Sequence, residues 1–168
     1  MIYLTSDLHF SHHNIIRYCN RPFESVHFMN KTITENWNDT VKDDDIIYIL
    51  GDITLETSQE KIIGYLSNLK GKIIIIQGNH DKFKQTIQNV YPVFRFVEIV
   101  YNGKRIFMCH DWESKKDIIN VVNPDIVLAG HVHEKWTHFQ YEKYKITNVG
   151  VDIWDFKPVS IDKIINLY

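Results

Sequence analysis

The sequence predicts an α/β domain in which two mixed β-sheets pack face to face, with helices covering their outer surfaces. Five short apolar runs, rich in isoleucine and valine, have the length of strands that are buried on both faces. Segments with helical periodicity separate the first three runs, and two hairpins mark the second half of the chain. The five runs are residues 2–4, 46–50, 73–76, 106–109 and 126–129.

Helices alternate with strands in the first half of the chain. Residues 14–19 predict a short helix that ends near Pro22. A longer amphipathic helix follows, in which apolar residues recur at helical spacing at Val26, Met29, Ile33, Trp37 and Val41. A third helix covers Ile62 to Leu69 and is terminated by Gly71. A short helical segment is expected between Asp81 and about Asn89.

Hairpins characterise the second half of the chain. Residues 93–100 and 104–108 flank Asn102-Gly103, a pair that favours tight turns between antiparallel strands. Residues 115–122 predict a helix before the fifth apolar run. Residues 136–141 and 144–149 predict a second hairpin, and Ser160 is expected to cap a last helix that extends through Leu167.

Length and composition limit the classes of protein to consider. The 168 residues predict one domain, residues 1–168, which is long enough to bury a hydrophobic core. No apolar stretch is long enough for a membrane span, and the first strand leaves no room for a signal peptide. Cys19 and Cys109 lack disulfide or metal-binding spacing, which fits a cytoplasmic location. The net charge of −2 predicts no stable binding to a nucleic-acid duplex.

Each of the five apolar runs ends on residues that can bind a metal ion. In an open sheet covered by helices, ligands lie beyond the carboxyl ends of the strands, so these residues are expected to meet in one site. Carboxylate, amide and imidazole groups together favour metal ions. In chain order the candidates are Asp7, His9, Asp52, Asn79, His80, Asp81, His110, His131 and His133.

The spacing within two of these groups has a geometric meaning. Asp7 and His9 are two residues apart, so in an extended strand end their side chains would share one face and reach one ion. His131 and His133 could do the same, or divide between two adjacent ions. Taken singly, each Asp is more simply a turn residue or helix cap and each His a surface or core residue. The repetition at five strand ends favours the metal site.

The motifs resemble those of the calcineurin-like metallophosphoesterases, and in particular the short phage and bacterial members that consist of the catalytic domain alone. The resemblance rests on Asp7-x-His9, Gly51-Asp52, Gly78-Asn79-His80-Asp81, His110 and Gly130-His131-x-His133, in the family order. It implies that Asp7, His9, Asp52 and His133 hold a first metal ion. It implies a second ion on Asp52, Asn79, His110 and His131, with Asp52 bridging the two.

The resemblance also implies the cofactors and the mechanism. Two divalent ions are expected, with manganese first and iron, zinc, nickel or magnesium as alternatives. A hydroxide that bridges them would attack phosphorus in line. His80 would protonate the leaving oxygen as the general acid, and Asp81 would orient His80 and raise its basicity.

Departures from the family pattern narrow the substrate. No arginine follows Gly51-Asp52 at the spacing of the protein serine/threonine phosphatases. Leu55 stands where the family's DNA nucleases carry a second catalytic histidine, and Asp111 stands where many members have glycine. Further candidates for substrate contact are His12, Arg21, Asp111 and Trp112. A lone arginine is more simply an ion-pair partner, and a tryptophan is more simply a core residue.

The sequence therefore predicts a dimetal phosphoesterase that acts on a small phosphate ester. A phosphodiesterase for nucleotide-type substrates is the first hypothesis, and a phosphomonoesterase with the same site is the second. A non-catalytic, Vps29-like protein-binding module is the alternative from another class. Such modules lose the histidine of the Gly-Asn-His motif, whereas His80 is present here.

Overall fold

The computed structural model describes all 168 residues and contains two five-stranded mixed sheets. Along the chain, the first half contains β1 (Ile2–Thr5), α1 (His13–Tyr18), α2 (Val26–Thr40), β2 (Ile46–Ile49), α3 (Gln59–Ser67), β3 (Lys72–Ile76), α4 (Gln85–Gln88) and β4 (Val93–Phe94). The second half contains β5 (Phe96–Tyr101), β6 (Lys104–Cys109), α5 (Lys116–Val122), β7 (Ile126–Ala129), β8 (His138–Tyr141), β9 (Tyr144–Asn148), β10 (Val159–Ser160) and α6 (Ile161–Ile165). Short 3₁₀ helices cover Glu113–Lys115 and Val151–Ile153.

The sheet order explains how distant strand ends meet. The first sheet has the order β10-β1-β2-β3-β4, in which β1 to β4 are parallel and β10 is antiparallel. The second sheet has the order β5-β6-β7-β9-β8, in which β6, β7 and β9 are parallel and the edge strands are antiparallel. In each sheet the central parallel strands therefore present their carboxyl ends at one edge.

The two sheets pack face to face because their strands alternate side chains between two buried environments. Leu4 and Leu50 of the first sheet share one core with Met108 and Leu128 of the second. The opposite face of the first sheet packs against α1, α2 and α3, and that of the second sheet packs against α5. The predicted fold class, an α/β sandwich flanked by helices, is confirmed.

One predicted strand is in fact two. Residues 93–100 were expected to form a single strand of a hairpin, but the run bends at Arg95. Val93 pairs with Ile75 in the first sheet, whereas Phe96 pairs with Cys109 in the second. The run thus crosses between the sheets, and apolar content alone could not indicate where an edge strand changes partners. The Asn102-Gly103 turn is at its predicted place, with both residues at positive φ.

The last helix begins where it was predicted and ends two residues earlier, at Ile165. Ser160 caps α6 by accepting a hydrogen bond from the Lys163 amide, as expected. The two-residue strand β10, which pairs with Tyr3 and Leu4, was not predicted because so short a segment has no periodicity to detect. None of the helices combines the length and the apolar character that crossing a membrane requires.

Candidate metal centre

The candidate ligands lie in turns just beyond the strands, and most of them have a backbone conformation in the left-handed region. Five of the seven predicted metal ligands have positive φ, namely Asp7 (57°), His9 (52°), Asp52 (55°), His131 (74°) and His133 (52°). Such a conformation costs on the order of 1–3 kcal/mol for a residue with a side chain, and it concentrates at functional sites. The spacing of Asp7 and His9 had suggested an extended strand end, but both residues have the left-handed conformation.

The seven predicted ligands divide into two neighbouring groups. Ligand atoms of Asp7, His9 and His133 all lie within 4.8 Å of one another, and so do those of Asp52, His110 and His131. Asn79 joins the second group, since its Oδ1 is 2.9 Å from His110 Nε2. His131 and His133 thus divide between the two groups, which was one of the two arrangements that their spacing allowed.

Asp52 connects the two groups. Its Oδ2 atom lies 3.7 Å from His9 Nε2 and 3.3 Å from His110 Nε2. Its Oδ1 atom accepts a hydrogen bond from the His80 amide. Burial acts to raise the pKa of Asp52, but a hydrogen bond from the His110 ring and the positive charge of His110 lower this pKa to about 2. One ionised carboxylate therefore faces both groups.

His9 shows that the first group suits a cation. Both ring nitrogens of His9 are buried without a hydrogen-bond partner, which is rare for a polar side chain in a folded protein. Burial lowers the pKa of His9 to about 3, outweighing the raising effect of Asp52, so the ring is neutral and its nitrogen lone pair is available. A divalent ion would satisfy this nitrogen, and the mixed oxygen and nitrogen donors fit manganese, iron or zinc.

His110 is oriented as a ligand of the second group. Its Nδ1 donates to the Leu50 carbonyl oxygen at 2.7 Å, which directs Nε2 toward Asn79 and Asp52. Burial acts to lower the pKa of His110, but Asp52 and Asp7 raise it to about 9. The surrounding carboxylates therefore stabilise positive charge at this position, as they would stabilise a cation.

A buried carboxylate that the sequence analysis missed supports His133. Asp152 accepts a hydrogen bond from His133 Nδ1 at 3.1 Å, an arrangement that orients histidine ligands in many metal sites. Arg21 holds Asp152 through two bonds of 2.7 and 3.0 Å and also donates to the carbonyl oxygens of Asp7 and Leu8. Asp152 lies just after β9, so the strand-end rule, applied to a sixth strand, would have found it.

Replacing Arg21 with methionine is expected to lower the free energy of unfolding by about 3–5 kcal/mol, because the buried Asp152 charge would lose both guanidinium bonds and keep only His133 as a partner. The two side chains are 0% and 3% exposed. Arg105→Met is the matched control, since Arg105 pairs with Glu98 while 49% exposed and should cost less than about 1 kcal/mol. Urea unfolding of both variants measures the difference. Equal losses would show that the buried pair has no special structural role.

Two glycines are required by close approach of the ligand loops. A Cβ atom at Gly78 would overlap Asp52 Oδ1, and one at Gly130 would overlap Ser6 Oγ and approach Asp7 Oδ2 to 2.6 Å. The absence of a side chain at Gly130 lets the following amide, that of His131, donate to Asp7. These glycines are thus part of the site, and they do more than end strands.

Comparison with known families agrees with this geometry. Residues 1–156 match the calcineurin-like phosphoesterase superfamily domain. The chain belongs to this superfamily. It is 42% identical over 171 residues to the uncharacterised protein MJ1445 of Methanocaldococcus jannaschii, covering 99% of this chain and 90% of the relative. It is 33% identical over 194 residues to the gene 66 protein of Mycobacterium phage L5, covering 98% and 92%.

Solved structures show the same calcineurin-like fold. The protein of unknown function AQ665 from Aquifex aeolicus is 27% identical with a TM-score of 0.82, over 100% of this chain and 99% of that one. A novel archaeal phosphodiesterase is 21% identical with a TM-score of 0.55, over 89% and 82%. A Vps29 protein from Entamoeba histolytica is 15% identical with a TM-score of 0.52, over 88% and 72%. These last two likenesses concern the fold alone.

The histidine and aspartate that end the Gly-Asn-His-Asp motif of this calcineurin-like domain have separate surroundings. The His80 side chain is 49% exposed, with Nε2 4.0 Å from Asp52 Oδ2. Asp81 is buried, and its carboxylate accepts hydrogen bonds from the backbone amides of Asp52, Ile53 and Gly78. The Asp81 carboxylate bonds to these amides and to no atom of the His80 ring, so its orienting role toward His80 stays a prediction. Its three bonds fix the loop that carries Asp52.

The four predicted substrate residues have different positions. His12 is half-buried beside the site, with its ring centroid 5.5 Å from that of His9. Asp111 lines a cleft next to the second group. The guanidinium of Arg21 faces inward to Asp152, and Trp112 is buried against Phe139 and Tyr141. Arg21 therefore does not fit the prediction of substrate contact. Trp112 is buried but lines a cavity that also contains His131, so its contact with substrate stays a prediction.

Proposed function

We propose that this calcineurin-like protein is a dimetal phosphodiesterase that hydrolyses small, nucleotide-type phosphodiesters. The observation that carries the proposal is the position of Asp52 Oδ2, between His9 of the first group and His110 of the second. A carboxylate so placed can bridge two cations. Two adjacent divalent ions neutralise phosphate charge and lower the pKa of a bound water, which is the chemistry that ester hydrolysis requires.

The protein's own side chains have complementary roles in this reaction. Asp52 lies between the two ligand groups and is close to both. Its low pKa keeps it ionised at neutral pH. His80 is accessible from solvent and lies on the same side of Asp52 as His9 and His110. Its Nε2 can hold a proton for the departing ester oxygen. Loss of an alkoxide is slow without such a proton, so a nearby acid is needed for natural esters.

A cavity with aromatic walls favours a nucleotide-type substrate. It has a volume of about 360 Å³ and contains His131 of the second group together with Trp136 and Phe139. The rings of Trp136 and Phe139 meet edge to face at 4.7 Å, and both side chains are half-buried. A half-exposed aromatic surface is suited to stacking a base. A phosphomonoesterase with the same site is the second hypothesis.

A metal-loading and substrate screen tests the proposal. The protein would be stripped with chelator, reloaded separately with manganese, iron, zinc, nickel or magnesium, and assayed on dinucleotides, cyclic nucleotides, aryl diesters and monoesters. We expect about two ions per chain and turnover of diesters above that of monoesters. His80→Ala protein is the blank. Two bound ions without any hydrolysis would favour a Vps29-like binding module, and preferred monoester turnover would favour the phosphomonoesterase.

A further inference from the structure

A second cavity opens beside the second metal group and shares Asp111 and His131 with the aromatic cavity. It has a volume of about 430 Å³, and its nine lining residues include no hydrophobic one. Three of them, Asn79, His110 and His131, are predicted metal ligands. A molecule in this cavity would therefore touch the reacting centre.

The remaining lining residues make the cavity locally cationic. Arg95, in the bend between β4 and β5, is exposed and has no carboxylate partner. Lys115 also has no carboxylate partner, and its Nζ donates to Ser114 Oγ at 3.0 Å. The single carboxylate of the lining is Asp111, whose Oδ1 accepts a bond from the Glu113 amide. The lining thus has a positive balance in a chain whose net charge is −2.

The types of donor in this cavity suit a phosphate group. The guanidinium of Arg95 offers a planar pair of donors and Lys115 offers a point charge, whereas the Ser114 hydroxyl already donates to the Asp111 carbonyl oxygen. Planar, charged donors recognise phosphate oxygens through strong paired hydrogen bonds. The cations that the two ligand groups would hold neutralise the scissile phosphate, so donors beyond them are available to a different anionic group.

We propose that Arg95 and Lys115 form a subsite for a second phosphate of the substrate, one that is not hydrolysed. This inference rests on the proposed diesterase function and defines its substrate further. In the reaction, water adds a hydroxyl to the scissile phosphorus and its proton goes to the leaving oxygen as that ester bond breaks. The second phosphate remains intact and serves as an anchor. Substrates with a terminal phosphate next to the diester are favoured over those without one.

The test compares two dinucleotides that differ only in a terminal phosphate, diadenylate with and without a 5′-phosphate. In the metal-loaded wild type, the KM should be lower for the 5′-phosphorylated form. Arg95→Gln and Lys115→Gln should each raise that KM by about tenfold, the effect of losing one charge-assisted hydrogen bond. The KM for the unphosphorylated form should change by less than about twofold, and kcat should stay close to that of the wild type.

Arg105→Gln is the matched control, because Arg105 lies at the other end of β6 and pairs with Glu98. It should leave both KM values unchanged. Calorimetric binding of adenosine 3′,5′-bisphosphate and of adenosine 3′-monophosphate gives a readout that does not require hydrolysis. The two variants should bind the bisphosphate more weakly than the wild type does, and their affinity for the 3′-monophosphate should be unchanged. Thermal unfolding verifies that the variants fold.

The outcomes separate this inference from the proposed function. If the wild type cleaves both dinucleotides with equal KM, or if the variants raise both values equally, the phosphate subsite is wrong while the diesterase function stands. If no diester is cleaved, the diesterase function fails, and the calorimetric comparison still decides whether Arg95 and Lys115 bind a second phosphate.

Discussion

Asp52→Asn is expected to abolish two-ion binding and to lower diester turnover by more than about 100-fold, the upper range for residues that merely support a metal ligand. The effect should exceed that of any other single ligand, because Asp52 Oδ2 alone approaches both His9 and His110. Metal content after equilibration with manganese, measured by elemental analysis, should fall from about two ions per chain to at most one.

The physical reason is the loss of one negative charge and one acceptor at a buried position. Asp52 is 1% exposed, and its Oδ1 accepts the His80 amide hydrogen. In the asparagine variant, one of the two carboxylate oxygens becomes an NH₂ group. If the amide oxygen stays on the His80 amide, the NH₂ group faces the imidazoles and cannot bind a cation.

Asp44→Asn is the control for a simple change in net charge. The Asp44 side chain is fully exposed, and Asp44 precedes β2 whereas Asp52 follows it. It should retain both ions and full turnover. Circular dichroism distinguishes a local loss of metal from unfolding of the variant. An Asp52→Asn protein that is folded and still binds two ions would contradict the bridging role.

The fold was predictable where one physical signal dominates. The run at residues 46–50 is apolar throughout because β2 lies between β1 and β3 and is covered on both faces. The split of residues 93–100 at Arg95 was not predictable, since pairing with β3 and pairing with β6 require the same residue types. Sheet membership of edge strands depends on tertiary contacts that local pattern does not encode.

The site was predictable in its membership and less so in its geometry. Residue type and strand-end position gave nine candidates, and the resemblance selected from them the seven ligands that the structure brings together. The left-handed backbone at Asp7 and His9 was not foreseen, because their spacing is compatible with a strand as well as with a turn. The resemblance implied a role of Asp81 toward His80, whereas its three bonds to backbone amides, which hold the Asp52 loop, are visible only in the structure.

Residues that act through other residues were the hardest to find. Asp152 was not among the predicted metal ligands, and its hydrogen bond with His133 is visible only in the three-dimensional structure. Arg95 and Lys115 are far apart in sequence, the first in a bend and the second in a short 3₁₀ helix, where single basic residues are common. The fold alone places both beside the second metal group, so no motif search could have paired them.

His80→Ala is expected to retain both metal ions while lowering turnover of a nucleotide diester by about 10²- to 10⁴-fold, the usual contribution of a general acid. The substitution should spare the ions because His80 contacts Asp52 through its backbone amide, which alanine keeps. The His80 ring is 49% exposed, so removing it leaves no buried cavity. Elemental analysis and steady-state kinetics on the same preparation measure the two effects.

The leaving group gives this prediction a sharper form. A nitrophenolate departs without a proton, whereas the alkoxide of a nucleotide needs one. The loss on His80→Ala should therefore be much larger for a dinucleotide than for bis-nitrophenyl phosphate, and His27→Ala, an exposed histidine on α2, should affect neither substrate. Equal losses on both substrates would instead assign His80 to binding of the phosphate, since a contact to the phosphate oxygens is needed whatever group departs. A proton donor is the only role for His80 that makes its effect depend on the basicity of the leaving oxygen.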